Sequence, residues 1–252
     1  MKRMFHNRHV TAIVIARGGS KGLVGKNLRP LLGRPLVAWS IDHAKSMRTV
    51  DRVALSTEDE RIAAVGREAG IEVIIRPAEL ASDTARVDDT LRHAVRSMEA
   101  GGGADAEKRP LDVIVVLYGN VPVRRPGLLD TAVAMLVATG CDSVQSFVPV
   151  GKYHPWWVYR MDREGRVEFN DDHKVYRRQE LPDLYVPDAA AIVVRRDVLM
   201  ESESRPDEPH AFFGRDRRGI VQAPETTIDV DTELDLLVAE AMLKRSGPRG
   251  RD

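Results

Sequence analysis

Short apolar runs recur along the chain, separated by stretches whose apolar positions repeat every three to four residues. The runs read as strands at Val10–Ala16, Arg52–Ser56, Glu72–Ile75, Asp112–Tyr118, Ser143–Val148, Ala190–Val194 and Ile220–Gln222. The stretches between them read as helices at Leu36–Ser46, Asp59–Glu68, Val87–Ala100, Pro126–Ala138 and Thr232–Lys244. "IVIA", "VIVVL" and "AIVV" are unbroken, mostly β-branched runs, the composition of strands buried on both faces. Pro126 suits a first helical turn and Gly140 the end of that helix. Alternating strand and helix units predict one α/β domain over residues 1–252, with a mostly parallel sheet between helical layers.

Two stretches break the rhythm. "AGGGADAEKRP" (Ala100–Pro110) has the composition of a flexible surface loop. Residues 151–187 contain "WWVYRMDREGRVEF", which reads as a hairpin with a Glu-Gly turn followed by a polar arm. This insertion is expected to pack on a partner subunit or to cover the site. The tail, residues 246–252, is expected to be disordered.

Composition narrows the function classes. The 252 residues hold 38 Lys plus Arg against 38 Asp plus Glu, a formal net charge of zero, which argues against a nucleic-acid binder. One cysteine, Cys141, excludes a disulfide framework or a multi-cysteine zinc site and reads as a small core residue. The seven histidines show no metal-ligand spacing, and His43 and His93 fall within helices. No apolar run reaches membrane-span length. The short basic-then-apolar start ends in Arg17 instead of a small-residue cleavage site, so it reads as a buried strand and the expected compartment is the cytoplasm.

The chemistry begins directly behind the first strand, in "ARGGSKGLVGKN" (Ala16–Asn27), where three cations and four glycines share twelve residues. It is not a Walker loop, because five residues separate Gly19 from Gly25 and Asn27 follows Lys26. "GGSKG" matches a nucleophile-elbow pattern around Ser20, but a loop ending in proline follows where an elbow needs a helix. What remains is an anion-binding concavity at the carboxyl end of a first parallel strand, with Arg17, Lys21 and Lys26 adding charge. A second signal is "IDVDTELD" (Ile228–Asp235). Asp229 and Asp231 alternate on an extended stretch, so both point to one side and suit a hard cation such as Mg²⁺. Equally, Asp231 or Thr232 can cap the helix that follows, with Asp235 facing solvent or that cap.

"ARGGSKGLVGKNLRPLLGRPLVAWSI", with "DRVALSTEDERIAAVGREAGIEVIIRPAELASDTA", "RRQELPDLYVPDAAAIVV" and "TIDVDTELDLLVAEAML" in the same order, resembles the acylneuraminate cytidylyltransferases, the CMP-sialic acid synthetases. The resemblance covers roughly the whole chain. It implies a Rossmann-like three-layer α/β/α nucleotidyltransferase fold, CTP and an acidic ulosonic sugar as substrates, Mg²⁺, and a homodimer. It further implies that the Ala16, Gly18, Gly19 and Ser20 backbone with Arg17, Lys21 and Lys26 holds the triphosphate. Asn27 and Arg76 would contact the nucleotide, and Asp229 and Asp231 the metal. Arg17, Lys21 and Asp231 are its catalytic set. The reaction implied is attack of a sugar hydroxyl on the α-phosphorus of CTP, releasing pyrophosphate.

The acceptor half departs from that pattern. "LYGNVPVR" (Leu117–Arg124) stands for the family's "LQPTSPLR", so Tyr118 replaces a sugar-contacting glutamine. "YGNVP" also resembles the "YGDxP" turn of sugar-1-phosphate uridylyltransferases, with Asn120 where an aspartate binds metal. Trp156 or Trp157 stands where a lysine is expected, and Asp188-Ala189 where the family has Asn-Gly. Tyr118, Asn120, Trp157, Arg178, Phe212 and Phe213 are the expected sugar contacts. "AFFG" (Ala211–Gly214) resembles a loop that reaches a neighbouring subunit, or is a hydrophobic anchor. Two alternatives stay open: a sugar-1-phosphate nucleotidyltransferase using another NTP, and a silent nucleotide-binding homologue.

Overall fold

A computed structural model of the chain describes residues 5–20, 22–101, 111–171 and 174–246. Lys21, the 102–110 part of the glycine-rich loop, His173 and tail residues 247–252 lie outside the described residues.

The β-branched runs form one seven-stranded sheet. Its strands are β1 (Val10–Ile15), β2 (Arg52–Thr57), β3 (Glu72–Ile75), β4 (Val113–Tyr118), β5 (Ser143–Pro149), β6 (Tyr185–Arg195) and β7 (Arg217–Val221). They lie in the order β7-β5-β6-β4-β1-β2-β3, and only β6 runs antiparallel to its neighbours. The helices are α1 (Leu36–Ser46), α2 (Glu60–Glu68), α3 (Val87–Ala100), α4 (Leu128–Thr139), α5 (Arg196–Glu201) and α6 (Glu233–Ser246).

Side chains alternate along β1, and each face of the sheet receives its own helices. Val10, Ala12 and Val14 pack with α1 and α4, while Ile13 and Ile15 pack with α3, α5, Phe212 and Phe213. Cys141 is buried in the first of these cores. Several boundaries differ from expectation. Gly127, at φ 75°, caps α4, so the helix starts at Leu128 and Pro126 stays outside it. Edge strand β7 begins earlier, at Arg217, because its polar residues carry no apolar pattern. α5 escapes the sequence reading because six residues hold too little periodicity.

The hairpin of the insertion forms as expected, pairing Tyr159–Met161 with Val167–Phe169. Its apolar side chains are exposed. Among its described residues, Pro187 alone lines either of the two cavities described below.

Candidate active site

A third small core decides where the two chemical motifs meet. Leu23 of the glycine-rich loop and Val230 between the two aspartates are buried together with Leu31, Leu36, Leu236 and Ala239. Burying Val230 turns Asp229 and Asp231 the other way, toward the loop. The approach is close: a Cβ on Gly22 would stand 2.8 Å from the Asp231 carbonyl oxygen. Gly25, at φ 63°, then turns the chain into a short 3₁₀ helix carrying Lys26 and Asn27. Ser20 Oγ donates to the Leu23 carbonyl at 2.8 Å, so this hydroxyl closes the loop turn, and among the described residues no α-helix begins before Leu36. The nucleophile-elbow geometry is absent.

Asn120, at the carboxyl end of β4, fixes the aspartate segment. Its carbonyl accepts from Val230 N at 2.9 Å, and its Nδ2 donates to Val230 O at 3.2 Å and to Asp229 Oδ1. The amide nitrogen thus stands as a donor to a carboxylate. Asp235 Oδ2 accepts from Thr232 N and Oγ1, both at 2.8 Å, while Thr232 Oγ1 accepts from Asp235 N, a reciprocal cap on α6. Asp235 therefore belongs to the cap, and Asp231 is released from that duty.

Loop, Asn120 and aspartates line one cavity of about 340 Å³ at the carboxyl ends of β1 and β4. Lys26 Nζ lies 2.5 Å from Asp231 Oδ1. Desolvation in the cleft, and then the neighbouring Asp231 charge, push the Asp229 carboxyl up to about 6, with Lys26 opposing. Arg17 Nη1 reaches across to Asp83 Oδ1 at 3.0 Å and to the Ser82 carbonyl at 3.3 Å. Asn27 Nδ2 holds the Arg17 carbonyl at 2.8 Å, and its buried Oδ1 has no partner among the described residues.

Arg76 also lines this cavity, but its guanidinium is occupied. It is 6% exposed, pairs with Glu58 Oε2 at 2.9 Å and donates to the Ala16 carbonyl. Glu58 in turn accepts from Gly18 N at 2.7 Å. Arg76 thus braces the loop from behind while lining the cavity in which a nucleotide contact is expected of it, and burial holds its pKa below the usual arginine value despite Glu58. Glu58, Ser82 and Asp83 were not expected at the site. "SDTA" was legible as a motif, but only folding brings Arg17 against it.

A second cavity of about 550 Å³ adjoins the first, and Tyr118 and Val87 belong to both walls. Burial and then the Asp229 charge raise the Tyr118 phenol pKa. Gln145 and Ser146 of β5, Arg86, Ala189 and His210 supply further wall. Phe212 and Phe213 line it while buried in their own chain's core, so "AFFG" anchors here and does not extend outward. Trp157 donates its indole N–H to the Val175 carbonyl at 3.4 Å, Arg178 is exposed beside Gly151, and neither lines either cavity. Ala16, Arg17, Lys26, Asn27, Arg76, Tyr118, Asn120, Asp229 and Asp231 are brought together, and Gly18, Gly19 and Ser20 form the adjoining loop.

Asp229 and Asp231 fit a hard divalent cation. They are two carboxylates whose mutual repulsion Lys26 and, more weakly, Arg124 offset, and phosphate oxygens and water would complete the shell that Mg²⁺ prefers. No cluster of three His, Cys, Asp or Glu suited to a metal occurs among the described residues.

The cytidylyltransferase family model matches residues 11–239. Post-translational flagellin modification protein B of Campylobacter coli is 28% identical over 244 residues, covering 96% of this chain and 98% of that protein. CMP-N,N'-diacetyllegionaminic acid synthase of Campylobacter jejuni is 26% identical over 243 residues, covering 95% of this chain and 98% of that protein. N-acylneuraminate cytidylyltransferase A of Danio rerio is 28% identical over 251 residues, but the chain spans only 53% of its length. A CMP:2-keto-3-deoxy-manno-octonic acid synthetase complexed with CTP superposes with a TM-score of 0.69 at 20% identity, covering 94% of this chain and 99% of that one. That likeness establishes the shared fold.

Proposed function

This chain belongs to the cytidylyltransferase family, and on that premise we propose that it transfers CMP from CTP to an acidic sugar, a sialic acid or related nonulosonic acid, for surface glycan synthesis. The observation that carries the reading is a pair of adjoining cavities sharing Tyr118 and Val87, one lined by cations and paired aspartates, the other largely apolar. Such a pair accommodates a triphosphate and an acceptor side by side.

Arg17 and Lys26 neutralise the triphosphate, joined by Lys21 on the strength of the family resemblance. The loop N–H groups, braced from behind by Arg76 and Glu58, complete the anion cradle. Asp229 and Asp231 hold the metal, and Mg²⁺, when bound, supplies charge neutralisation on the phosphates and lowers the pKa of the attacking hydroxyl. The acceptor, seated against Tyr118, presents that hydroxyl to the α-phosphorus, and pyrophosphate leaves. Positioning and electrostatics carry most of such a reaction. Asn120 pointing its amide at Asp229 speaks against the uridylyltransferase-like alternative, whose turn lends a carboxylate to the metal. The assembly we infer is a homodimer joined through the exposed insertion. The compartment we infer is the cytoplasm, where CTP is made; among the described residues no helix is long and apolar enough to cross a membrane.

The test is a pyrophosphate-release assay with CTP and a panel of ulosonic acids. Turnover should require a divalent cation, stop with chelator, and fall about 10²-fold or more in Asp231→Ala. An Asp231→Ala enzyme as fast as wild type would remove the metal assignment. Stronger thermal stabilisation by another NTP would replace CTP.

A further inference from the structure

Five non-glycine residues among those described adopt left-handed backbone: His6, Asn7, Leu32, Ala189 and His210. Ala189 (φ 60°) differs from the others in standing inside a strand, the eleven-residue β6. A Cβ makes this conformation costly, alanine has no side-chain polar group to offset the cost, and such residues persist only where their surroundings force them.

Those surroundings are visible. Pro187 pairs with Phe147 and Ile192 with Gln145, so residues 188–191 stand opposite Ser146 alone. Asp188 pins the bulge: it accepts from Ser146 Oγ, from Gln222 Nε2 and, at 3.0 Å, from Ala190 N. Ala191 N is held by Ser146 Oγ at 2.8 Å. The bulge therefore cannot relax without breaking a half-buried polar network. Its outcome is that Ala189 lines the second cavity, whose wall also holds His210 (φ 60°), likewise left-handed and pinned by Phe213 N and Arg217 Nη2 on its carbonyl.

We propose that Ala189 is a specificity-determining residue for the acceptor, its methyl held by the Asp188 bulge as a fixed stop in the acceptor cavity. This rests on the acceptor reading of that cavity given above. Glycine would take the same backbone without strain, so the methyl group is retained at a cost to stability, at a position that lines the cavity. Bulges next to active sites commonly re-aim a side chain in this way.

The substitution A189G separates this role from a structural one. It should raise Tm by about 2–4 °C through relief of strain, so folding failure does not confound it. With CTP as donor, kcat/KM is measured for N-acetylneuraminate and for N,N'-diacetyllegionaminate. A189G should narrow the ratio between the two acids by about tenfold, the scale on which a small apolar group discriminates, while KM for CTP stays within twofold. A189N keeps the left-handed backbone, which asparagine tolerates, but enlarges the stop. It should lower kcat/KM for both acids about tenfold, again with KM for CTP unchanged. An unchanged acid ratio in A189G, or an undiminished kcat/KM for both acids in A189N, overturns the specificity role alone. A Tm that does not rise in A189G overturns the strain on which the role is built. A wild-type protein that binds CTP calorimetrically yet transfers CMP to neither acid overturns the acceptor reading, and this role with it.

Discussion

At the scale of single residues, His43 ties stability to pH. It sits on α1 with Nε2 3.0 Å from the Pro122 carbonyl, and burial, followed by the Arg124 charge, lowers its pKa from 6.5 to about 4. The unfolded chain therefore binds a proton that the folded one refuses. This contribution to stability is full above pH 6.5 and is lost as pH falls toward 4, by up to about 3 kcal/mol. Chemical denaturation at pH 7.5 and 4.5 should show a steeper acid loss in wild type than in His43→Gln; equal losses would place the titration elsewhere. Arg124 itself, 5% exposed, donates to the Ala190 carbonyl at 2.8 Å and to Ser40 Oγ at 3.1 Å, and burial lowers its pKa to about 9. Its position in "LYGNVPVR" was legible as a family block. Its duty as an internal strut was not, because that duty is defined by carbonyls up to 66 residues distant in sequence.

At the scale of elements, the loop and the aspartate segment act as one unit. They come from opposite ends of the chain and meet because Leu23 and Val230 share one small core. Gly22 is the point of closest approach. Gly22→Ala places a methyl group 2.8 Å from the Asp231 carbonyl, a backbone atom with little freedom to yield. The expected result is a fall of about tenfold to a hundredfold in kcat/KM for CTP, because small displacements of positioned groups are costly in such chemistry. Tm should change little, since the main cores are untouched. Kinetics indistinguishable from wild type would mean that loop and aspartates are not held in register here. Helix boundaries at Leu36–Ser46 and Val87–Ala100 and the strand Glu72–Ile75 agree with the sequence reading residue for residue. There periodicity and flanking residues point the same way. They diverge at Pro126, where Gly127 takes the cap, and at β6, whose outer half is exposed and whose run is interrupted by Pro187 and Asp188.

For the whole molecule, the insertion is the unfinished surface. Tyr159 and Phe169 stack across the hairpin with ring centroids 4.4 Å apart, while Met161 and Val167 stand exposed beside them. This is the apolar surface that the proposed homodimer would bury. Light scattering should give twice the mass of one chain, and Phe169→Asp should return the single-chain mass without unfolding the sheet. A wild-type protein that scatters as a monomer would remove the dimer from the reading given above.

The sequence by itself determined the layer architecture, the anion-seeking loop, the alternation of Asp229 and Asp231, and the family to which these blocks belong. Each is a local property: apolar period, glycine spacing, or a run of residues in order. Tertiary structure alone decided that Arg76 braces the loop from behind, that Asn120 donates to Asp229, and that Trp157 and Arg178 stand away from both cavities. It also placed the left-handed Ala189 in a cavity wall. In each of these cases the partner is remote in sequence or the feature is a backbone angle. Residue type limits which hydrogen bonds and charges a side chain can offer, but packing chooses which of them meet.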